Sequence, residues 1–154
     1  MNIKYRKVEG MLNEYTTIVN EIKNIDLDIE ELKSNFSGCR AISYNEKSSP
    51  TYKFNSTVEN EVVAKEEKIN RLEKLKRSKE IQVQRIDNAM KILKEDEFNV
   101  IKYRFFQEHK KSWTKVSYNM QMCEAWCRKL KDRAIKKMIP LIFVSEQSIE
   151  KIAE

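Results

Sequence analysis

From Val8 the apolar residues fall at Val8, Met11, Tyr15, Ile18, Ile22, Ile25, Ile29, Leu32 and Phe36, in alternating steps of three and four without a miss. That spacing lays one narrow stripe along a helix and is the seam of a coiled coil. The stripe covers 29 residues, roughly 43 Å at 1.5 Å per residue. Most other positions are charged or polar, so a helix over about 3–36 cannot be stable alone and requires a partner. Residues 37–55 lose the period, contain Gly38 and Pro50 and read as a connecting loop. Ser56-Thr57-Val58-Glu59 then has the form of a capping box. A second stripe runs through Val62, Ile69, Leu72, Val83, Ile86, Met90 and Leu93, predicting a helix over 57–93. Lys65, Lys76 and Lys79 occupy seam positions in it, while Leu75 and Ile81 lie off it, so its middle is expected to be rotated locally or loosely packed. The economical arrangement for residues 1–93 is an antiparallel hairpin of two long helices. Self-association through the same stripes, giving a homodimer, is the competitor.

After Leu93 the pattern changes. Phe98, Val100, Ile101, Phe105 and Phe106 mark a short amphipathic helix with acidic residues in its first turn, where the helix dipole favours them. A polar turn, QEHKKSW, follows. The remainder divides into a short helix from Ser112 to about Met120 and a longer one starting near Cys123. A short helix, a tight turn and a basic helix make a helix-turn-helix, whose last helix would enter a DNA major groove. The expected fold is therefore all-α, a coiled-coil-like hairpin followed by a small helix-turn-helix domain over 94–138, with 139–154 as a C-terminal tail.

Charge strengthens the reading once it is located. Of the net +6, residues 1–93 contribute +2, residues 94–138 contribute +6 and residues 139–154 contribute −2. Residues 110–138 hold nine Lys or Arg against Glu124 and Asp132 alone, a density suited to a polyanion, although a solvated basic face accounts for charge alone equally well. No apolar run approaches the roughly 20 residues that span a membrane, and the start MNIKYRKVEG lacks the apolar core of a signal peptide. An intracellular protein is expected, and three cysteines, an odd number, agree with a reducing compartment.

The piece from Leu93 to Met138 resembles region 4 of sigma-70-type factors. Leu93, Glu97, Val100-Ile101 and Arg104-Phe105 stand where that pattern has its leading Leu, Glu, apolar pair and Arg-aromatic pair. Val116-Ser117, Met120-Gln121, Cys123, Cys127, Arg133-Ala134 and Met138 keep the spacing of the rest. Three positions depart from the pattern: Gln121 replaces the turn Gly, Ser117 the small Ala and Cys123 the capping Ser. A residue other than Gly at the turn would have to adopt a left-handed conformation, at a cost of about 1 kcal/mol or more. The whole chain is similar to small phage and prophage proteins that end in such a domain, with Ser112-Trp113 matching their Ser-Trp. Those proteins are related to autolysin-regulatory (ArpU-like) late transcriptional regulators. The resemblance implies a DNA-binding regulator of phage late genes in the cytoplasm of a bacterial host; RNA polymerase is a separate candidate partner, since activators commonly touch both DNA and polymerase.

If the last helix begins at Cys123, its inward positions are Cys127, Leu130, Ala134 and Met138. Outward residues early in such a helix reach base edges, which nominates Glu124, Ala125, Arg128 and Lys129, since Glu can accept from cytosine and Arg can bridge guanine. Lys115, Lys131, Arg133 and Lys136 are nominated as phosphate contacts, although Arg133 has a structural alternative near the acidic first helix. For each of these residues a solvated surface position is the plain alternative. Trp126 is expected to pack on the apolar tail Ile139–Val144 or on the hairpin, and Trp113 in the core.

Cys123 and Cys127 lack the further ligands that a structural zinc needs, and their C-x3-C spacing is not that of a redox pair. Cys123 reads as a weak helix cap and Cys127 as a small apolar plug. His109, the sole histidine, stands in the polar turn without ligand-spaced neighbours. No metal, cofactor or catalytic residue is expected, and an enzyme is the least supported class. Two alternatives stay open. One is a small terminase subunit that recognises phage DNA for packaging; the other is a coiled-coil module that binds RNA polymerase or a sigma factor.

Overall fold

The computed structural model describes residues 3–35, 57–107 and 112–144, and among them every regular element is a helix. The helices are α1 (Ile3–Ser34), α2 (Thr57–Met90), α3 (Glu95–Phe105), α4 (Trp113–Met120) and α5 (Glu124–Ile142). The expected loop 37–55, the capping Ser56, Phe36 and His109 lie outside the described residues. The second helix ends at Met90, about a turn before the end of its stripe at Leu93.

The chain forms two compact units, one comprising residues 22–78 and the other residues 1–21 with 79–154. Both α1 and α2 run through the two. In the 22–78 unit, Ile25 and Ile29 of the first stripe are buried, while Ile69 and Leu72 of the second are half-buried. The lysines there keep their seam positions. Lys76 Nζ lies 2.6 Å from Asp26 Oδ1, Lys33 Nζ 3.7 Å from Glu73 Oε1, and Lys65 donates to the Asn35 carbonyl at 2.9 Å. The α1 number rises as the α2 number falls, so the helices are antiparallel in this unit. Leu75 is exposed, so the stripe is neither rotated nor abandoned: the lysine stems lie along the seam and their ammonium groups reach acids across it.

In the other unit, the α1–α2 pairing continues through Lys79 Nζ and Glu21 Oε2 at 2.6 Å and through the Tyr15 hydroxyl, which donates to Asp87 at 2.7 Å. Burial, followed by Asp87, pushes the Tyr15 phenol up to about 12. Tyr15 also stacks on Phe106, with ring centroids 4.2 Å apart. The main core joins Tyr5, Val8 and Leu12 of α1 and Ile86, Ala89 and Met90 of α2 to Ile101 and Phe105 of α3. Ala134, Ile135, Met138 and Ile142 of α5 complete it. Tyr5, Leu12 and Ile135 are core residues that the two stripes and the sigma-like pattern did not select. A second cluster, Val100, Val116, Cys127 and Leu130, ties α3, α4 and α5 to one another.

The stretch expected as a tail begins instead as the last turn of α5, which contains Pro140. Proline removes one N–H from the helix, but Pro140 is exposed, so the carbonyl left without that donor can be solvated. Ile142, on the opposite side, is buried in the main core and holds the turn in place.

Candidate nucleic-acid interface

The candidate interface consists of α4, the turn after it, and α5. Ser112 caps α4, its hydroxyl accepting from the Lys115 N–H at 3.4 Å. The helix ends at Gln121, which has φ 53° and ψ 36° and is the non-glycine residue with positive φ among those described. Gln121 N–H donates to the Tyr118 carbonyl at 3.2 Å and Met122 N–H to the Ser117 carbonyl at 3.1 Å. These two bonds form the Schellman closure that glycine usually permits. The chain then extends through Cys123, whose thiol makes no capping bond, into α5.

Cys127 is fully buried against Val100 and Val116, and burial raises its thiol, so it is a packing residue with little thiolate character. Cys123 is exposed at the helix start. The two sulfurs have separate environments.

The relation of α3 to α5 is set by a buried ion pair. Glu97 is 1% exposed, and its two carboxylate oxygens each lie 2.8 Å from Lys137 Nζ. One of them also accepts the Lys94 N–H at 3.1 Å, closing the start of α3. Burial raises the carboxyl, but the Lys137 hydrogen bonds, the Lys94 amide and the charges of Lys137 and Arg133 outweigh it. The net direction is below the ordinary value. The structural cation anticipated at Arg133 is thus Lys137. Arg133 is exposed, with its guanidinium 5.7 Å from the Trp126 ring centre.

Of the residues nominated for DNA, Ala125, Lys129 and Lys136 are exposed on one side of α5, and Lys115 is exposed in the first turn of α4. Arg128 is exposed over 57% of its side chain and pairs with Glu124 at 3.5 Å. Glu124 is half-buried and accepts from Thr114 Oγ1 at 2.8 Å, which joins the first turns of α4 and α5. Lys131 departs from expectation. Its side chain is 14% exposed and turned toward α1, with Nζ 3.1 Å from Glu9 Oε1, so it holds α5 to α1 instead of facing outward. Beside it the Tyr5 hydroxyl donates to Asp132.

The tryptophans differ: Trp113 packs on a core cluster as expected, and Trp126 is more exposed than expected. Trp126 is 42% exposed and met on its ring by Arg133. Trp113 is half-buried against the second cluster, and its ring centre gathers Arg104 at 4.7 Å, Arg128 at 5.4 Å and Lys131 at 5.8 Å. These are cation–π distances. Arg104 belonged to the sigma-like pattern, but nothing in the spacing linked it to a tryptophan nine residues on. Tyr118, 84% exposed, was not selected either. Its position was readable, because two residues beyond the inward Val116 is the far side of a helix.

Among the described residues no group of three or more His, Cys, Asp or Glu side chains is placed to hold a metal ion, and no helix is long and apolar enough to cross a membrane. Comparison with curated proteins and with solved structures gives no match. A family model does match, over residues 4–140, and it takes in all five helices. The chain accordingly belongs to the family described as protein of unknown function DUF722.

Proposed function

We propose that this protein is a sequence-specific DNA-binding transcriptional regulator, in which a helical hairpin carries a helix-turn-helix made of α4 and α5. The observation that carries the reading is the exposed face of α5, where Ala125, Arg128, Lys129 and Lys136 are presented from the segment that holds the chain's excess positive charge. Those side chains suit base edges and flanking phosphates, and the buried cluster of Val100, Val116, Cys127 and Leu130 gives the face a rigid support. Lys115, Arg133 and Lys136 take phosphates; Lys131, held by Glu9, does not. The resemblance to phage late regulators adds a biological setting, control of late genes. That setting does not enter the physical argument.

The test is selection from a randomised duplex library, followed by anisotropy titration of the selected site against a scrambled duplex at several salt concentrations. A preferred sequence is expected, with affinity falling on a log–log slope of about −3 per chain for three phosphate contacts. Lys129→Ala and Arg128→Ala should each weaken the selected site. Equal affinity for selected and scrambled DNA at moderate salt removes the proposal. Ring-sized oligomers in light scattering would favour a packaging role instead.

A further inference from the structure

We infer that Glu124 is a positioning residue for Arg128, and that Thr114, Glu124 and Trp113 together set the direction in which Arg128 reads a base. This rests on the DNA-binding reading and assigns the specificity within it.

Arginine on a helix surface has several rotamers, and reading the two acceptors of a guanine edge requires one of them with its guanidinium plane fixed. Arg128 is restrained from two directions. Its Nη2 lies 3.5 Å from Glu124 Oε2, and its guanidinium carbon lies 5.4 Å from the Trp113 ring centre. Glu124 is itself restrained, since its other oxygen accepts the Thr114 hydroxyl at 2.8 Å. Trp113 is fixed by packing on the second cluster and carries Arg104 as well, whose like charge adds to the field at Arg128.

A guanidinium has five N–H groups and a guanine edge uses two, so the pair with Glu124 can persist while the base is read. Each carboxylate oxygen has a protein partner, Thr114 on one and Arg128 on the other, which aims the group along the helix surface toward Arg128. Glu124 therefore acts through Arg128, and Ala125 and Lys129 remain as the direct neighbours of the DNA.

The experiment measures relative affinities of the full-length protein for the selected duplex and for its single-base-pair variants. Arg128→Ala should lose preference at one base pair, on the order of 10- to 100-fold. Glu124→Gln and Thr114→Val should lose part of the preference at that same pair, several-fold, and Thr114→Ser should restore it. In the Arg128→Ala background Glu124→Gln should add nothing, because its partner is gone. Thr114→Val should leave the salt slope unchanged, since no phosphate contact is lost. The inference is overturned if Glu124→Gln loses preference at a different base pair, adds to Arg128→Ala, or has no effect while Arg128→Ala does. An absence of any sequence preference in the wild type removes the DNA reading itself, which is a distinct result.

Discussion

Glu97 illustrates how one side chain can serve a helix start and a helix contact together. It closes the first turn of α3 through the Lys94 amide and fixes α5 through Lys137, and it is the buried charged residue of the described structure. A buried carboxylate without its cation is costly, so Lys137→Met is expected to destabilise the fold by about 2–3 kcal/mol in denaturant melts at pH 7. The pH dependence carries the sign. In the wild type the carboxyl lies below its ordinary value, so its contribution is present above the ordinary carboxylate range, near 4.3, and is lost as pH falls through the lower folded value. In Lys137→Met burial is opposed only by the Lys94 amide and the charge of Arg133, the smallest of the lowering causes. The carboxyl then moves upward, and the variant's deficit relative to wild type should shrink between pH 7 and pH 4. A deficit that is constant across that range would mean the pair contributes packing alone.

The same economy appears where elements begin and end. α4 closes on Gln121 in a left-handed conformation, stabilised by a Schellman pair of hydrogen bonds although no glycine is present. A side chain there is strained by about 1 kcal/mol, and glycine relieves it at some cost in unfolded-chain entropy. Gln121→Gly is therefore expected to raise stability by about 0.5–1 kcal/mol, read as a higher melting temperature with an unchanged helical spectrum. The left-handed conformation expected at this position is adopted without a glycine. Along α1 and α2 the seam lysines follow related logic. Lys76 and Lys79 keep their stems along the seam and reach Asp26 and Glu21, in pairs exposed enough that each contributes only modestly to stability. What such pairs add is register, because a slipped pairing would leave the lysines facing apolar residues.

At the scale of the whole molecule, residues on both sides of residue 94, where the change of pattern falls, share one core. The main core draws Tyr5, Val8 and Leu12 from the chain's beginning and Ile135, Met138 and Ile142 from its far end. A fragment of residues 94–144 would expose Ile101, Phe105, Ile135, Met138 and Ile142 at once, each worth about 1.5–3 kcal/mol when buried. Such a fragment is expected to show no cooperative thermal transition. In the full chain Leu12→Ala, at a fully buried site, should cost about 2–5 kcal/mol. A sharp, concentration-independent melt of the isolated fragment would show that the second cluster alone suffices.

Much was legible in the amino-acid order because local periodicity is a property of neighbours. The heptad steps, the acidic first turn of α3, the Ser112 cap and the inward places of Cys127, Leu130, Ala134 and Met138 all follow from residues within a turn or two. The all-helical class, the short α4 and the start of α5 at Cys123 were determined in that way. Contacts between residues far apart in the chain were not, because nothing in the order marks which charge meets which. Lys131 sits among nine basic residues and looks like its neighbours, yet Glu9, 122 residues away, turns it inward. Lys137 and not Arg133 reaches Glu97, and Trp113 gathers cations from α3 and α5. Residues 139–142 read as the start of a tail, and packing of Ile139 and Ile142 on the main core accompanies the last turn of α5 past Pro140. The sequence thus determined the helices and their apolar sides. Tertiary packing alone decided which basic residues remain exposed, because the position of each one's acidic partner depends on the whole fold.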